Sequence, residues 1–261
     1  SCIGLEHVTT LFVEKRPVIY DVDEQLLCDN ETALDMYSVF DTSTLQDLIL
    51  GNTTDSTILP FQDTSKFTIE YTYIDSDGTA VNSTTLPATI NLTNQKIDIK
   101  LTNTVGVSQP FESIGSINFK VFQTPTPFSG IKIEECDDEE SGADDDGISV
   151  FDIDLDTFKR SLFINPLDTT SPEVQDFNDF EFNFSLYDNN DVLISGPAKS
   201  IDPKISAENG YYIISEISNP LSTAFTLSCE SSVRVDFIVN SLPSFDIDDP
   251  TIVCLNPLPD N

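Results

Sequence analysis

The chain has 261 residues, with 12 lysines and arginines against 45 aspartates and glutamates, a formal net charge of −33. That surplus excludes nucleic acid as a partner, because phosphate contacts require basic side chains, and it opposes docking on anionic lipid. Yet 39% of the residues are hydrophobic and 18 are Phe, more than a disordered acidic chain carries, so an ordered protein with an anionic surface is expected. His7 is the single histidine and Trp is absent. Histidine-based triads and His-rich zinc sites are thereby excluded, and so is the strongest stacking platform for sugars and cations. No apolar run approaches the roughly 18–20 residues that cross a bilayer, so no direct membrane insertion is expected. No signal peptide is visible, and export signals are expected to lie outside this sequence.

Taken in chain order, the segments repeat. SCIGLEHVTTLFVEKRP (1–17) matches SCESSVRVDFIVNSLP (228–243) and is expected to end a preceding unit, residues 1–20. LLCDNETALDMYSVFDTSTLQDLIL (26–50) aligns with EECDDEESGADDDGISVFDIDLDTFKRSLF (134–163): Cys-Asp, an acidic loop, Val-Phe-Asp, then a short apolar segment of helical spacing. FTIEYTYIDSDGTAVNS (67–83) aligns with FEFNFSLYDNNDVLISG (180–196), and QKIDIKLTN (95–103) with GYYIISEISN (210–219). SINFKVFQTP (116–125) aligns with VRVDFIVNSLP (233–243), and IVCLNPLPDN (252–261) resembles another opening. The expected organisation is the end of a repeat (1–20), two full repeats (21–127 and 128–246) and the start of a fourth (247–261).

Within each repeat the hydrophobic period is two. Phe180, Phe182, Phe184 and Leu186 fall on one face against Glu181, Asn183 and Ser185. Val233, Val235, Phe237 and Val239 alternate likewise with Arg234 and Asp236. Such alternation marks half-buried antiparallel strands, and DSDG and DNND between the runs are expected to be hairpin turns. Some seven short strands in about 110 residues fit an all-β fold of tandem immunoglobulin-like β-sandwich repeats. Short helical turns near Leu45–Leu50 and Phe158–Phe163 are expected to cap the sandwich rather than build its core.

Five cysteines in a repetitive acidic β protein point to an oxidising exterior. Because a sandwich brings its N-terminus and last hairpin loop to one end, a Cys136–Cys229 bridge is expected, with Cys28 left as a free thiol. The rival pairing, Cys2–Cys28 with Cys229–Cys254, leaves Cys136 free; spacing alone does not decide between them.

The motif CDD…DDDGISVFDIDL, the closing SC…VRVDFIVNSLP and the repetition near 110 residues together resemble the tandem extracellular repeats of Bacteroidetes surface proteins. These are large flavobacterial proteins exported by the type IX secretion system, gliding-motility adhesins among them. The resemblance implies an extracellular, outer-membrane-associated adhesin or stalk, partnered by anchoring or gliding machinery or by surface glycans. The first repeat departs from the motif, since its loop, DNETALDMYS, lacks Asp-Gly.

Ligand chemistry makes the acidic loop a candidate calcium site. Ca2+ takes six to eight oxygen ligands, which clustered Asp around a turn-forming Gly supplies. Asp137, Asp138, Asp144, Asp145, Asp146 and Asp152 are the candidate ligands, with Asp154 also within reach and Gly147 making the turn; the competing reading is a solvated acidic loop. Tyr73, Tyr187, Tyr211 and Tyr212 either form a sugar-stacking patch or pack in the core and across strands. The first outcome would favour an array of carbohydrate-binding modules serving a surface polysaccharide-utilisation system, the second an adhesive stalk. No nucleophile–base constellation is present, and no enzymatic activity is expected.

Overall fold

The computed structural model describes residues 16–29, 36–51, 62, 64–75, 77–92, 94–103, 110–137, 146–168 and 172–242. The chain forms two compact units, Ser1–Pro125 with Ser218–Glu230, and Thr126–Ile217 with Ser231–Asn261. The architecture is all-β and sandwich-like, and both units run the same order of strands, with a short helix after the second strand of each.

Unit 1 contains β1 (Gln25–Cys28), β2 (Ser38–Asp41), α1 (Leu45–Leu50), β3 (Phe67–Ile74), β4 (Ala80–Ser83), β5 (Thr89–Leu92), β6 (Gln95–Asn103) and β7 (Glu112–Phe122). One sheet has the order β1-β7-β6-β3-β4 and the other pairs β2 with β5. The second set runs β8 (Ile131–Cys136), β9 (Ile148–Asp152), α2 (Leu155–Ser161), β10 (Glu181–Tyr187), β11 (Leu193–Ala198), β12 (Lys204–Glu208), β13 (Tyr212–Ser218), α3 (Pro220–Thr223) and β14 (Glu230–Asn240). Its sheets have the orders β8-β14-β13-β10-β11 and β9-β12. Strand for strand the two orders are the same, with the first strand parallel to the last in each, β1 to β7 and β8 to β14. This is the arrangement of an immunoglobulin-like sandwich. No helix among the described residues is long and apolar enough to cross a membrane.

The period-two alternation builds the cores as expected. In unit 1, Ile97, Ile99 and Leu101 of β6 and Ile117 of β7 are all at most 1% exposed. In unit 2, Phe180, Phe182 and Phe184 point inward with Val233, Val235 and Phe237. The alternation slips at Ser185, which is also buried, where the β10–β11 ladder carries an irregularity between Phe184 and Leu186. An edge-to-face ring pair recurs at matching places: Phe40 with Phe119 at 5.0 Å and Phe151 with Phe237 at 4.6 Å. DSDG and DNND are turns, as expected. Gly78 donates its N–H to the Asp75 carbonyl, and the Asp188 carboxylate accepts from the N–H groups of Asn190 and Val192.

The helical segments depart from expectation. They are not caps laid over a finished core: Leu45, Ile49 and Leu50 are fully buried within unit 1's apolar cluster, and Phe158 and Leu162 join that of unit 2. A six-residue helix has no stability of its own, so these helices exist because that burial holds them. In unit 2 the helix also starts earlier, at Leu155, where Asp154 at its N-cap accepts the Thr157 N–H at 2.8 Å.

Phe151 is 0% exposed and packs on Phe237. Its replacement, Phe151→Ala, is expected to lower unfolding free energy by about 3–5 kcal/mol. Leu167→Ser, at a position 95% exposed, should shift it by less than about 0.5 kcal/mol. Urea denaturation followed by circular dichroism measures both; equal effects would refute the assignment of the core.

Candidate functional site: the Cys-Asp strand ends

The acidic loop begins where the first strand of a unit ends, and that end is built the same way twice. Cys28 lies opposite Phe122 at the end of β1, and Cys136 opposite Asn240 at the end of β8. The next residue extends each parallel ladder by one bond. Asp29 N–H donates to the Phe122 carbonyl at 2.8 Å, and Asp137 N–H to the Asn240 carbonyl at 2.9 Å. Both aspartates are buried, at 3% and 4% exposure.

Each aspartate then closes its loop. Asp29 Oδ2 accepts the Met36 N–H at 3.1 Å, and Asp137 Oδ2 accepts the Gly147 N–H at 2.8 Å. The residue at the loop's return has positive φ in both, 62° at Met36 and 77° at Gly147. That conformation turns the N–H inward and favours glycine. Ser149 Oγ, two residues after Gly147, also donates to the Cys136 carbonyl at 2.8 Å. Sequence reasoning missed the kinship of Met36 with Gly147; the signal was the shared Ser-Val-Phe-Asp that follows both loops, at 38–41 and 149–152.

Of the candidate calcium ligands, Asp137 and Asp146 are the two described ends of the loop, and Asp138, Asp144 and Asp145 lie outside the described residues. Asp137 Oδ1 is buried and receives no hydrogen bond among the described residues. Asp146 is exposed, with Oδ1 accepting the Ile148 N–H at 3.0 Å. Asp152 lies apart from the described end of this loop at Gly147. It ends β9, five residues beyond Gly147 and so roughly 16 Å along an extended strand, where it faces Lys204 with an Nζ–Oδ1 separation of 3.7 Å. Asp154 is likewise occupied, capping α2; hydrogen bonds from Thr157, its hydroxyl first and then its N–H, hold this carboxyl below the usual range. Among the described residues no three acidic, Cys or His side chains come together as a metal cage.

The cysteine pairing overturns the expected bridge. Cys28 is bonded to Cys229, with Cα atoms 5.4 Å apart, and Cys136 is an exposed free thiol. The expectation failed because the first strand runs parallel to the last. Cys136 therefore sits beside Asn240, at the far end of β14 from Cys229, eleven residues or roughly 36 Å away along the strand. Cys229 belongs to Ser218–Glu230, a segment between β13 and β14 that is part of unit 1. There the Asn219 side chain caps α3 through the Leu221 N–H and donates to the Gln123 carbonyl at 2.8 Å. The Phe225 ring lies 5.8 Å from that of Phe122, and Lys120 Nζ stands 4.9 Å from both centroids, a cation–π arrangement.

The tyrosines do not share an open face. Tyr73 is in the unit 1 core. Tyr212 is sandwiched, with Tyr187 stacked at 5.1 Å on one side and the Arg234 guanidinium 3.7 Å from its centroid. Its hydroxyl donates to Asp191 at 2.9 Å, and burial together with that carboxylate raises its pKa. Tyr211 is half-buried against the unit 2 core. A groove of about 550 Å³ beside β8 is lined by Ile131, Ile133, Phe158, Asp152 and Asp154. Of its three carboxylates, Glu134 belongs to β8 itself, Asp152 is the ion-paired strand end and Asp154 the helix cap already described.

No protein-family profile matches the chain, and no curated protein matches it. Among solved structures it is similar to the insect immune protein hemolin, described as having a domain arrangement with implications for homophilic adhesion, at 11% identity and TM-score 0.33 over 87% of this chain and 48% of that one. It is similar also to a Ca2+-stabilized adhesin with which an Antarctic bacterium binds ice, at 9% identity and TM-score 0.25 over 67% and 40%. A third is the extracellular cadherin domains 1–5 of protocadherin gamma B2, at 14% identity and TM-score 0.21 over 86% and 40%. The chain spans less than half the length of each, and likeness at this level says nothing about what it binds.

The loop closure has two separable parts. Asp137→Ala strips the Gly147 N–H of its acceptor and is expected to cost about 1–3 kcal/mol, whereas Asp137→Asn keeps an acceptor oxygen and should cost less. At Gly147 an added Cβ meets nothing within 4 Å, so Gly147→Ala should cost only backbone strain, about 1–2 kcal/mol. Denaturant midpoints at constant m-value report these differences; a neutral Asp137→Ala would show that the aspartate does not hold the loop.

Proposed function

We propose that this chain is a segment of a large, extracellular, non-enzymatic surface protein, an adhesin or stalk assembled from tandem immunoglobulin-like repeats. The observation that carries the reading is the repetition itself: two successive units with identical strand order, in a chain that contains a disulfide and so matures where thiols are oxidised. A series of sandwiches extends reach by copying one fold. The large negative charge keeps such copies soluble and apart. The resemblance of the Cys-Asp…Asp-Gly…Phe-Asp motif to flavobacterial repeats supports export by a type IX system and attachment at the outer membrane, with anchoring or gliding machinery, or surface glycans, as partners.

Calcium stiffening belongs to this reading through one atom. A buried carboxylate oxygen without a hydrogen bond is costly, and Asp137 Oδ1 is such an oxygen among the described residues. It stands at the mouth of a segment that carries Asp138, Asp144 and Asp145 in sequence, and a divalent cation would satisfy it. The carbohydrate-module alternative needs aromatic faces open to solvent, and both faces of Tyr212 are covered.

Antibodies raised to this segment should label intact, unpermeabilised cells and block their attachment to a surface; labelling only after lysis would sink the extracellular reading. Glycan-array binding by the isolated chain would instead favour the carbohydrate-module alternative. For calcium, millimolar CaCl2 is expected to raise the melting temperature, with chelator reversing the shift and calorimetry giving a Kd of about 10⁻⁴–10⁻³ M. The Asp137→Asn variant should lose that response. An unchanged melt with no heat of binding would leave Asp137 as a loop closure alone.

A further inference from the structure

Cys136 and Cys28 occupy one structural position. Each ends the first strand of its unit, in parallel register with the last strand, at Asn240 and Phe122 respectively. Each precedes a buried aspartate whose N–H extends that ladder and whose carboxylate closes the following loop. One of the two holds a partner: Cys28 is bonded to Cys229, in the segment that links the last two strands of the following repeat. The other is an exposed thiol.

We propose that Cys136 forms the corresponding disulfide with the cysteine of the same linking segment in the next repeat of the polypeptide, so that each repeat's opening cysteine is bonded to its successor. The proposal rests on the tandem-array reading above. The cysteine arithmetic agrees with it. An opening cysteine recurs at 28, 136 and 254, and a linking-segment cysteine at 2 and 229, each lying 26 or 25 residues before the next opening one (28 − 2 and 254 − 229). In this pattern Cys28 takes Cys229, Cys136 takes the linking cysteine of the repeat that begins at 247–261, and Cys254 waits for the one after. It also accounts for the first repeat, which has no linking-segment cysteine of its own (107–113 reads VSQPFES) and yet leaves Cys28 bonded.

The chemistry is an oxidation. The two thiols lose two protons and two electrons as their S–S bond forms, and an exchange-type disulfide oxidant is reduced to two thiols as its own S–S bond breaks. The surface around Cys136 also bears on what docks there. The places of Phe122 and Lys120 are taken by Asn240 and Ile238 in the β8–β14 register. The incoming segment should therefore not repeat the Phe225 ring, which in unit 1 lies against that Phe and Lys, but carry an aliphatic or polar residue instead.

The test is peptide mapping of the full-length protein, alkylated at low pH before lysis and digested without reduction. The Cys136 peptide should be recovered joined to one from near residue 347, because the linking cysteine of the second repeat lies 93 residues after its opening one (229 − 136) and 254 + 93 = 347. Reduction should release both halves, and Cys136→Ser should leave the residue-347 peptide alkylated while Cys28–Cys229 persists. An alkylated Cys136 in a full-length chain that does carry further repeats would overturn the proposal and spare the array. So would its recovery joined to Cys2, to Cys254 or to a second copy of Cys136. A full-length sequence with no repeat after residue 261 would instead overturn the array reading, and this proposal with it.

Discussion

The parallel pairing of each unit's first strand with its last is the constraint on which the rest hangs. It carries the first strand out at the exit end of the last one, so that Cys-Asp emerges beside Phe122 in unit 1 and Asn240 in unit 2. The aspartate is then fixed by its own backbone, because its N–H bonds the carbonyl of that final strand residue. Once the backbone is anchored, the side chain can only fold over the start of the loop, where it meets the returning N–H. Burying a carboxylate would otherwise be costly. Here the charge-assisted hydrogen bond offsets part of the cost and fixes the loop's closure, whether the loop is short, as from Asp29 to Met36, or longer, as from Asp137 to Gly147.

The same constraint explains which parts of the fold were legible from residues alone. Alternation reveals that a segment is a strand and which of its faces is buried, because side chains alternate with a period of two in any sheet. Phe180, Phe182 and Phe184, or Val233 and Val235, could be placed inward on that ground. Alternation is silent about strand direction, since parallel and antiparallel neighbours share the same period. The expected Cys136–Cys229 bridge depended on direction, and it failed there. The short helices were misjudged for a related reason. Six or seven residues carry too little periodicity to separate a lid from a core element, and only the enclosure of Leu45, Ile49 and Leu50 between the sheets decides it.

Tyr212 shows the opposite limit. It lies on the outward face of β13, next to the inward Ile213, and by alternation it should be exposed; it is 7% exposed. Cross-strand neighbours bury it: Tyr187 from β10 and Arg234 from β14 cover its two faces. A single strand read in isolation cannot show this, because the covering groups come from segments 25 residues before it and 22 after it (212 − 187 and 234 − 212). The residues that looked most like a sugar platform are therefore part of the sheet's own outer packing.

The acidic composition itself separates into roles once the hydrogen bonds are followed. Asp41, Asp77, Asp146, Asp176, Asp188 and Asp202 each accept the N–H two residues ahead, the local turn that aspartate makes in place of a helix or strand bond. Backbone bonding lowers the pKa of Asp41 and Asp176, and bonds from Thr157 lower that of Asp154. Their contribution is present while the carboxyls are ionised and is lost as pH falls through the lowered folded-state values. These are turn-makers, and any acid-rich loop would contain some. Asp29 and Asp137 are different in kind, being buried, bonded across seven and ten residues, and placed by the sheet rather than by the loop. An acid cluster counted by residue type cannot tell the two sorts apart. In this chain it is the aspartate beside the cysteine, not the run of aspartates after it, that the architecture holds in a defined place twice over.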